Sequence, residues 1–331
     1  MIGRYNNGGV MSHKIIKISS LVLAAAAAGF STQAFSAGFS LFEQGASGQG
    51  VAYAGASAVG EDASTIYFNP AAMTRLSGQQ IVLAGHIIVP TSEYTDSGQS
   101  SLPGGPPGSL TGPNSDGGST GFIPNFYWAA KLENDLHVGV GVNVPYGLAT
   151  EYDDGWVGRY HGLKSEITTI NINPSMAWKA TNTVSLGFGL SFQYIDIELT
   201  NNIFSPAVCG ALSGACNTAG DSHLKLEADD MSIGWNVGVL WDITQKDRLG
   251  VAYRSEVKHD VTGDATYTMD DDPALQATLD GANAAFAPFT VFTSTSLAAV
   301  ASMPESLSVS YVRDINDKWS LLADWTWMGW S

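Results

Sequence analysis

The sequence predicts an all-β protein, a transmembrane antiparallel β-barrel, and three observations carry that expectation. Apolar residues alternate with Gly, Ser and Asn over stretches of about ten residues, many times over. The linkers between these stretches are alternately long and short. No apolar run approaches the ~20 residues a membrane-crossing helix needs, so a membrane life requires strands.

The chain opens with an expected export signal. Lys14 and Lys17 precede the apolar core Leu21–Phe30, and the small-residue site Ala34–Ser36 follows. Residues 1–36 are assigned to this signal, with Met11 as a candidate start. Residues 37–77 come next, rich in Gly, Ala and Ser and without helical or strand period. Such small-residue composition suits a segment packed in a confined lumen. It ends in "STIYFNPAAMTRL", where Asn69, Pro70 and Ala71 suit a turn. Proline fixes φ, and Asn bonds its own backbone two residues on.

Residues 78–331 carry the alternation. Nine strands are expected, near 79–90, 123–132, 137–146, 167–178, 184–199, 232–243, 249–261, 305–312 and 319–330. In "TVSLGFGLSFQY" one face is Val184, Leu186, Phe188, Leu190, Phe192 and Tyr194. The other face is Ser185, Gly187, Gly189, Ser191 and Gln193. A soluble β-sandwich also alternates, but its wet face carries Lys, Glu and Thr. Here the polar face is small, Trp and Tyr cluster near strand ends, and the strands are long enough to cross a bilayer at a tilt. The short linkers "ENDL", "KATNT", "TQKDR" and "INDK" read as periplasmic turns, and the long ones as extracellular loops. A closed bacterial barrel has an even strand number, so nine strands ending at Ser331 lead us to expect a barrel incomplete at its C-terminus.

Charge narrows the partners. The chain has 31 Asp and Glu against 15 Lys and Arg, a net −16, which argues against nucleic acid. Membrane lipids and hydrophobic small molecules are the expected partners, and the chain is expected to act as a monomer. Cys209 and Cys216 lie close together in a Gly/Ala/Ser loop, so a local disulfide is expected in an exported protein. Closing so small a ring stabilises by roughly 2–3 kcal/mol. No metal site or cofactor is expected: His223 stands alone, and no Walker or dinucleotide motif occurs. The remaining histidines beyond the leader, His86, His137, His161 and His259, sit in no catalytic motif, which disfavours a barrel-borne hydrolase. A general porin would have a charged, wet lumen.

Candidate site residues follow from parity and turn chemistry. Continuing the inward face past Gln193 gives Ile195, Ile197, Leu199 and Asn201, an apolar run suited to a greasy pocket. Arg254, Glu256 and Lys258 face inward by the parity of Gly250 and Ala252. They read as a strut to Glu61 or Asp62, or as a site for an anionic head group. Pro145, Tyr146 and Gly147 end the cleanest alternation, where a bulge or kink is expected. In the last long loop, Leu275, Leu279, Ala282 and Phe286 recur at helical spacing after Pro273. With Ile203 and Phe204 they form an exterior hydrophobic groove, or pack against neighbouring loops.

Four pieces together resemble the FadL family of outer-membrane long-chain fatty-acid transport proteins. They are "AGFSLFEQGASGQGVAYAG", "NPAAM" (Asn69–Met73), "VPYGLATEY" (Val144–Tyr152) and "YRSEVK" (Tyr253–Lys258), in family order. The resemblance implies a fourteen-stranded barrel plugged by an N-terminal hatch over residues 37–77. It implies passive uptake: a hydrophobic substrate captured outside, held in an apolar lumen, and released through a kinked third strand. It makes Asn69–Ala71 a hatch turn and Pro145–Gly147 the lateral opening. Family members place a basic residue where gapless counting puts Asn201. That departure opens the alternative of a neutral ligand, such as an aromatic hydrocarbon.

Overall fold

The structure, a computed structural model, describes residues 39–102, 106–211, 220–269, 271–285 and 292–330, with only the backbone at 209–211. The export signal, the side chain of Cys209, Cys216 and Phe286 lie outside the described residues.

Antiparallel strands make most of the regular structure among the described residues, because alternating side chains need a surface with two faces. The main sheet runs β1 (Gln79–Ile88), β4 (Gly121–Lys131), β5 (Leu136–Asn143), β7 (Lys164–Lys179), β8 (Val184–Phe204) and β9 (Asp221–Asp242). It continues through β10 (Asp247–Arg254), β13 (Ser306–Asn316) and β14 (Trp319–Met328). Off this path, β6 (Gly147–Glu151) pairs with β7, and β11 (Val257–Thr268) pairs with β9 and with β12 (Thr295–Met303). A two-stranded piece, β2 (Glu93–Tyr94) with β3 (Ser115–Asp116), folds the first long loop.

One face of the sheet is apolar and open, with Leu83, Met176, Phe188, Ile233, Leu321 and Trp325 all exposed. The other face carries the N-terminal segment. After the exposed helix α1 (Ala46–Gln49), helices α2 (Ala56–Val59) and α3 (Thr65–Phe68), then the 3-10 turn Pro70–Arg75, lie against it. Ile66 and Met73 are fully buried with Tyr127, Ala129 and Ala177 of the wall. Ala58, Ala71 and Ala72 are buried with Leu240 and Val312. At one end of the sheet the turns are tight: Asn134 and Asp135 both take φ near +55°, the left-handed pair a two-residue hairpin needs.

Three expectations change. The strand expected over 249–261 breaks at Ser255 and Glu256, and its upper half runs on to Thr268. The stretch from Thr262 to Pro304, expected as a loop, contains β12, whose Ala and Ser residues hide the alternation. The strand expected at 137–146 stops at Asn143 and resumes as β6, because Pro145 has no N–H to donate to a ladder.

The break at Ser255 also reverses a parity. Buried residues below it are Gly250 and Ala252, while above it they are Ser255, Val257, His259 and Val261. Glu256 and Lys258 are therefore exposed on the outer face and do not point inward with Arg254. Opposite the break stand Pro304 and Glu305, so both strands of the pair turn over together, and a one-residue phase change moves every later side chain to the other face.

Candidate functional site

The inner face presents glycines where the N-terminal segment comes closest. A Cβ at Gly187 would overlap the backbone at Ala71, one at Gly250 the backbone of Ser57, and one at Gly238 the side chain of Asn69. Those glycines explain the small polar face read from the sequence: they make room for the N-terminal segment. Parity showed which face they share, but only the packed segment shows why they are glycine.

Asn69 is fully buried and uses its whole amide. Its Oδ1 accepts from the Ala71 N–H at 3.0 Å, while Nδ2 donates to Ser57 O at 2.7 Å and to Val239 O at 3.1 Å. It thus caps the 3-10 turn that Pro70 begins, ties the turn to α2, and ties both to the wall.

Residues 39–44 bind the kink. Leu41 N–H donates to Pro145 O and Gly147 N–H donates to Phe39 O, each at 2.9 Å, so Ser40 and Tyr146 form an antiparallel bridge. Gln44 Nε2 donates to Val144 O at 3.2 Å and its Oε1 accepts from Tyr127 Oη at 2.8 Å. The N-terminal chain therefore supplies a short strand where the wall loses its own pairing. Tyr146 is buried, with its backbone held by Thr169 Oγ1 and its hydroxyl donating to Pro304 O at 3.2 Å. It links the kink after β5 to the break between β12 and β13. This strap was not legible in the sequence, since pairing across about a hundred residues leaves no local pattern.

Tyr146 borders a small cleft and a packed apolar cluster. The cleft, of about 40 Å³, is lined by the rings of Phe42, Tyr67, Phe68 and Tyr146 and by the polar Asn236, Arg254, Ser306 and Ser308. The buried cluster is Tyr146, Ile195, Ala228, Val257, Val261 and Met303, with Ile197 and Phe39 packed against it. Of the expected pocket residues, Ile195 and Ile197 enter this cluster. Leu199 is exposed, and Asn201 is half-buried and donates to the neighbouring Asn202 O.

Arg254 joins α3 to β8 through partners other than the expected Glu61 or Asp62. Its Nη2 donates to Tyr67 O at 2.8 Å, its Nη1 to Ser191 Oγ at 3.3 Å, and its guanidinium lies 4.7 Å from the Tyr67 ring centre. Asp62 instead accepts from Ser47 and Ser64 inside the N-terminal segment.

In the loops, Leu275 and Leu279 of α5 (Pro273–Ala285) are buried with Val208 of α4 (Ser205–Ala211), with Ile203 against them. Phe204 packs on Tyr160 instead. The groove residues are thus largely packed against neighbouring loops. Among the described residues, no three His, Cys, Asp or Glu side chains gather as a metal site, and no helix is long and apolar enough to cross a membrane.

Known proteins agree with this architecture. The family described as "Outer membrane protein transport protein (OMPP1/FadL/TodX)" matches residues 27–331. A long-chain fatty acid transport protein of Escherichia coli O6:H1 is 30% identical over 335 residues, 97% of this chain and 72% of that one. A FadL homologue of Pseudomonas aeruginosa superposes with a TM-score of 0.71 at 25% identity, covering 89% of this chain and 70% of its own. The Ralstonia pickettii toluene transporter TbuX shares the fold, with a TM-score of 0.58 at 16% identity over 81% of this chain and 67% of its own. The chain belongs to the FadL and TodX family of outer-membrane transport proteins, and its open apolar face is the outer wall of a β-barrel.

Proposed function

We propose that this protein carries hydrophobic molecules, foremost long-chain fatty acids, passively across the outer membrane. The observation that carries the reading is Tyr146. It sits at the wall's kink and faces both the aromatic cleft and the buried apolar cluster. A greasy chain leaving the cleft meets a place where the wall depends on residues 39–41 for its pairing. Burying alkyl surface there supplies affinity, at about 25 cal/mol per Å².

In this reading, Asn69, Pro70 and Ala71 hold a hatch over residues 37–77, and Pro145, Tyr146 and Gly147 form a side opening. Ile195 and Ile197 line the pocket, Arg254 braces the hatch, and Ile203, Phe204, Leu275 and Leu279 shape the extracellular approach. No bond of the substrate is made or broken. Asn201, lacking the positive charge of the family's fatty-acid carriers, favours a second reading in which neutral aromatic hydrocarbons pass. Uptake of radiolabelled oleate and of toluene, by cells whose own hydrophobe uptake is deleted, separates the two. Entry of neither faster than in control cells would sink both.

A further inference from the structure

β9 is paired along its whole length on the β8 side but not on the other. Its partners there are β10 up to Asn236 and β11 from Asp229. Between them, Asp230–Trp235 have no ladder, apart from Ser255 N–H donating to Trp235 O and Trp235 N–H donating to Ser255 Oγ, each at 2.9 Å. Met231 and Ile233 are 65% and 66% exposed, against 37% and 40% for Val237 and Val239 beside β10. The missing rungs span roughly 16 Å of strand.

His259 stands at this gap on the inner face. It is fully buried, between Val257 and Val261 along β11, and those two valines belong to the apolar cluster of Tyr146 and Ile195. Its Nδ1 lies 3.0 Å from Asp230 Oδ2, and the same oxygen accepts from Ser232 Oγ at 2.8 Å. A carboxylate only accepts, so Nδ1 carries the proton and Nε2 of the neutral ring is left with a lone pair. Among the described residues, that Nε2 has no hydrogen-bond partner. An unpaired buried nitrogen costs about 1–3 kcal/mol, so a site that keeps one is suited to a ligand that pairs it. The cations near the lumen do not compete for the role: Arg254 is engaged with Tyr67 and Ser191, and Lys258 faces out.

We propose that His259 Nε2, oriented by Asp230, is a head-group contact of the lumen pocket and accepts a hydrogen bond from an O–H on an otherwise apolar ligand. The ligand class is a long-chain alcohol or a protonated long-chain acid, which enters an apolar site without burying a net charge. The inference rests on the transport reading.

The test is equilibrium binding of tritiated oleyl alcohol and methyl oleate to the full chain in lipid nanodiscs, with empty nanodiscs subtracted. The two probes share a chain and differ in the O–H. The expected result is a preference of about tenfold for the alcohol, the effect of one buried hydrogen bond. His259→Leu should abolish the preference while leaving methyl oleate affinity within about twofold. A wild-type ratio near one, with both probes bound, overturns the assignment and leaves transport standing, and this holds even if His259→Leu fails to fold. An unchanged ratio in folded His259→Leu, or equal weakening of both probes, overturns it as well. Binding of neither probe by the wild type would overturn the transport reading together with the assignment.

Discussion

Gly238 of β9 has no room for a side chain because the amide of Asn69 occupies the space where its Cβ would stand. One residue of the N-terminal segment and one of the wall, 169 positions apart, thus define a single contact that each makes possible for the other.

Gly238→Ala should displace Asn69 and loosen the N-terminal segment without unfolding the wall. We expect a loss of about 1–3 kcal/mol, as for a buried amide left without partners. Asn69→Ala should cost a similar amount by orphaning Ser57 O and Val239 O. The two losses should not add, because both remove the same contact. Thermal unfolding of the singles and the double variant measures this, and additive losses would show the contact is not shared.

Arg254 and Lys258 should differ sharply despite lying four residues apart. Arg254→Met removes the donors to Tyr67 O and Ser191 Oγ, so proteolysis within residues 39–78 should speed up. Lys258→Met alters an outer-face residue and should stay within about 0.5 kcal/mol of the wild type. Limited proteolysis of the folded protein in lipid reads both.

Leu41→Pro removes the N–H that donates to Pro145 O. The strap should detach from the kink and expose the amide of Gly147, which donates to Phe39 O. Hydrogen exchange at Gly147 should rise by at least tenfold while the amides of β8 stay protected.

Tyr160 reports on the outer loops. Burial, and then the hydrogen bond its phenol donates to Asp221 Oδ1, push its pKa up to about 12. A raised acid keeps its proton in the fold after the unfolded chain has lost it. Its contribution is therefore complete below pH 10 and is lost as pH rises through 12. Tyr160→Phe should remove that part of the alkaline stability loss, measured as the difference between the two proteins' melting temperatures across pH 9–12.

Much of this was legible in the amino-acid order. Residues such as Leu186, Phe188 and Leu190 against Ser185, Gly187 and Gly189 announce a strand and its two faces, because side-chain direction has a period of two. "ENDL" announces a hairpin, and Pro145 a missing ladder bond, because each acts through its own backbone. The helix over Pro273–Ala285 was legible for the same reason.

What stayed hidden depends on neighbours distant in the chain. Parity carried past Ser255 placed Glu256 and Lys258 inside, and the paired turn-over at Pro304 and Glu305, some fifty residues on, put them outside. The partners of Arg254, the strap on Tyr146 and the unpaired Nε2 of His259 likewise arise from close approach between elements. Local order sets which face a side chain takes while a ladder stays in register. Only the assembled wall, where breaks in pairing occur and a buried polar atom meets or misses a partner, decides which residues line the site.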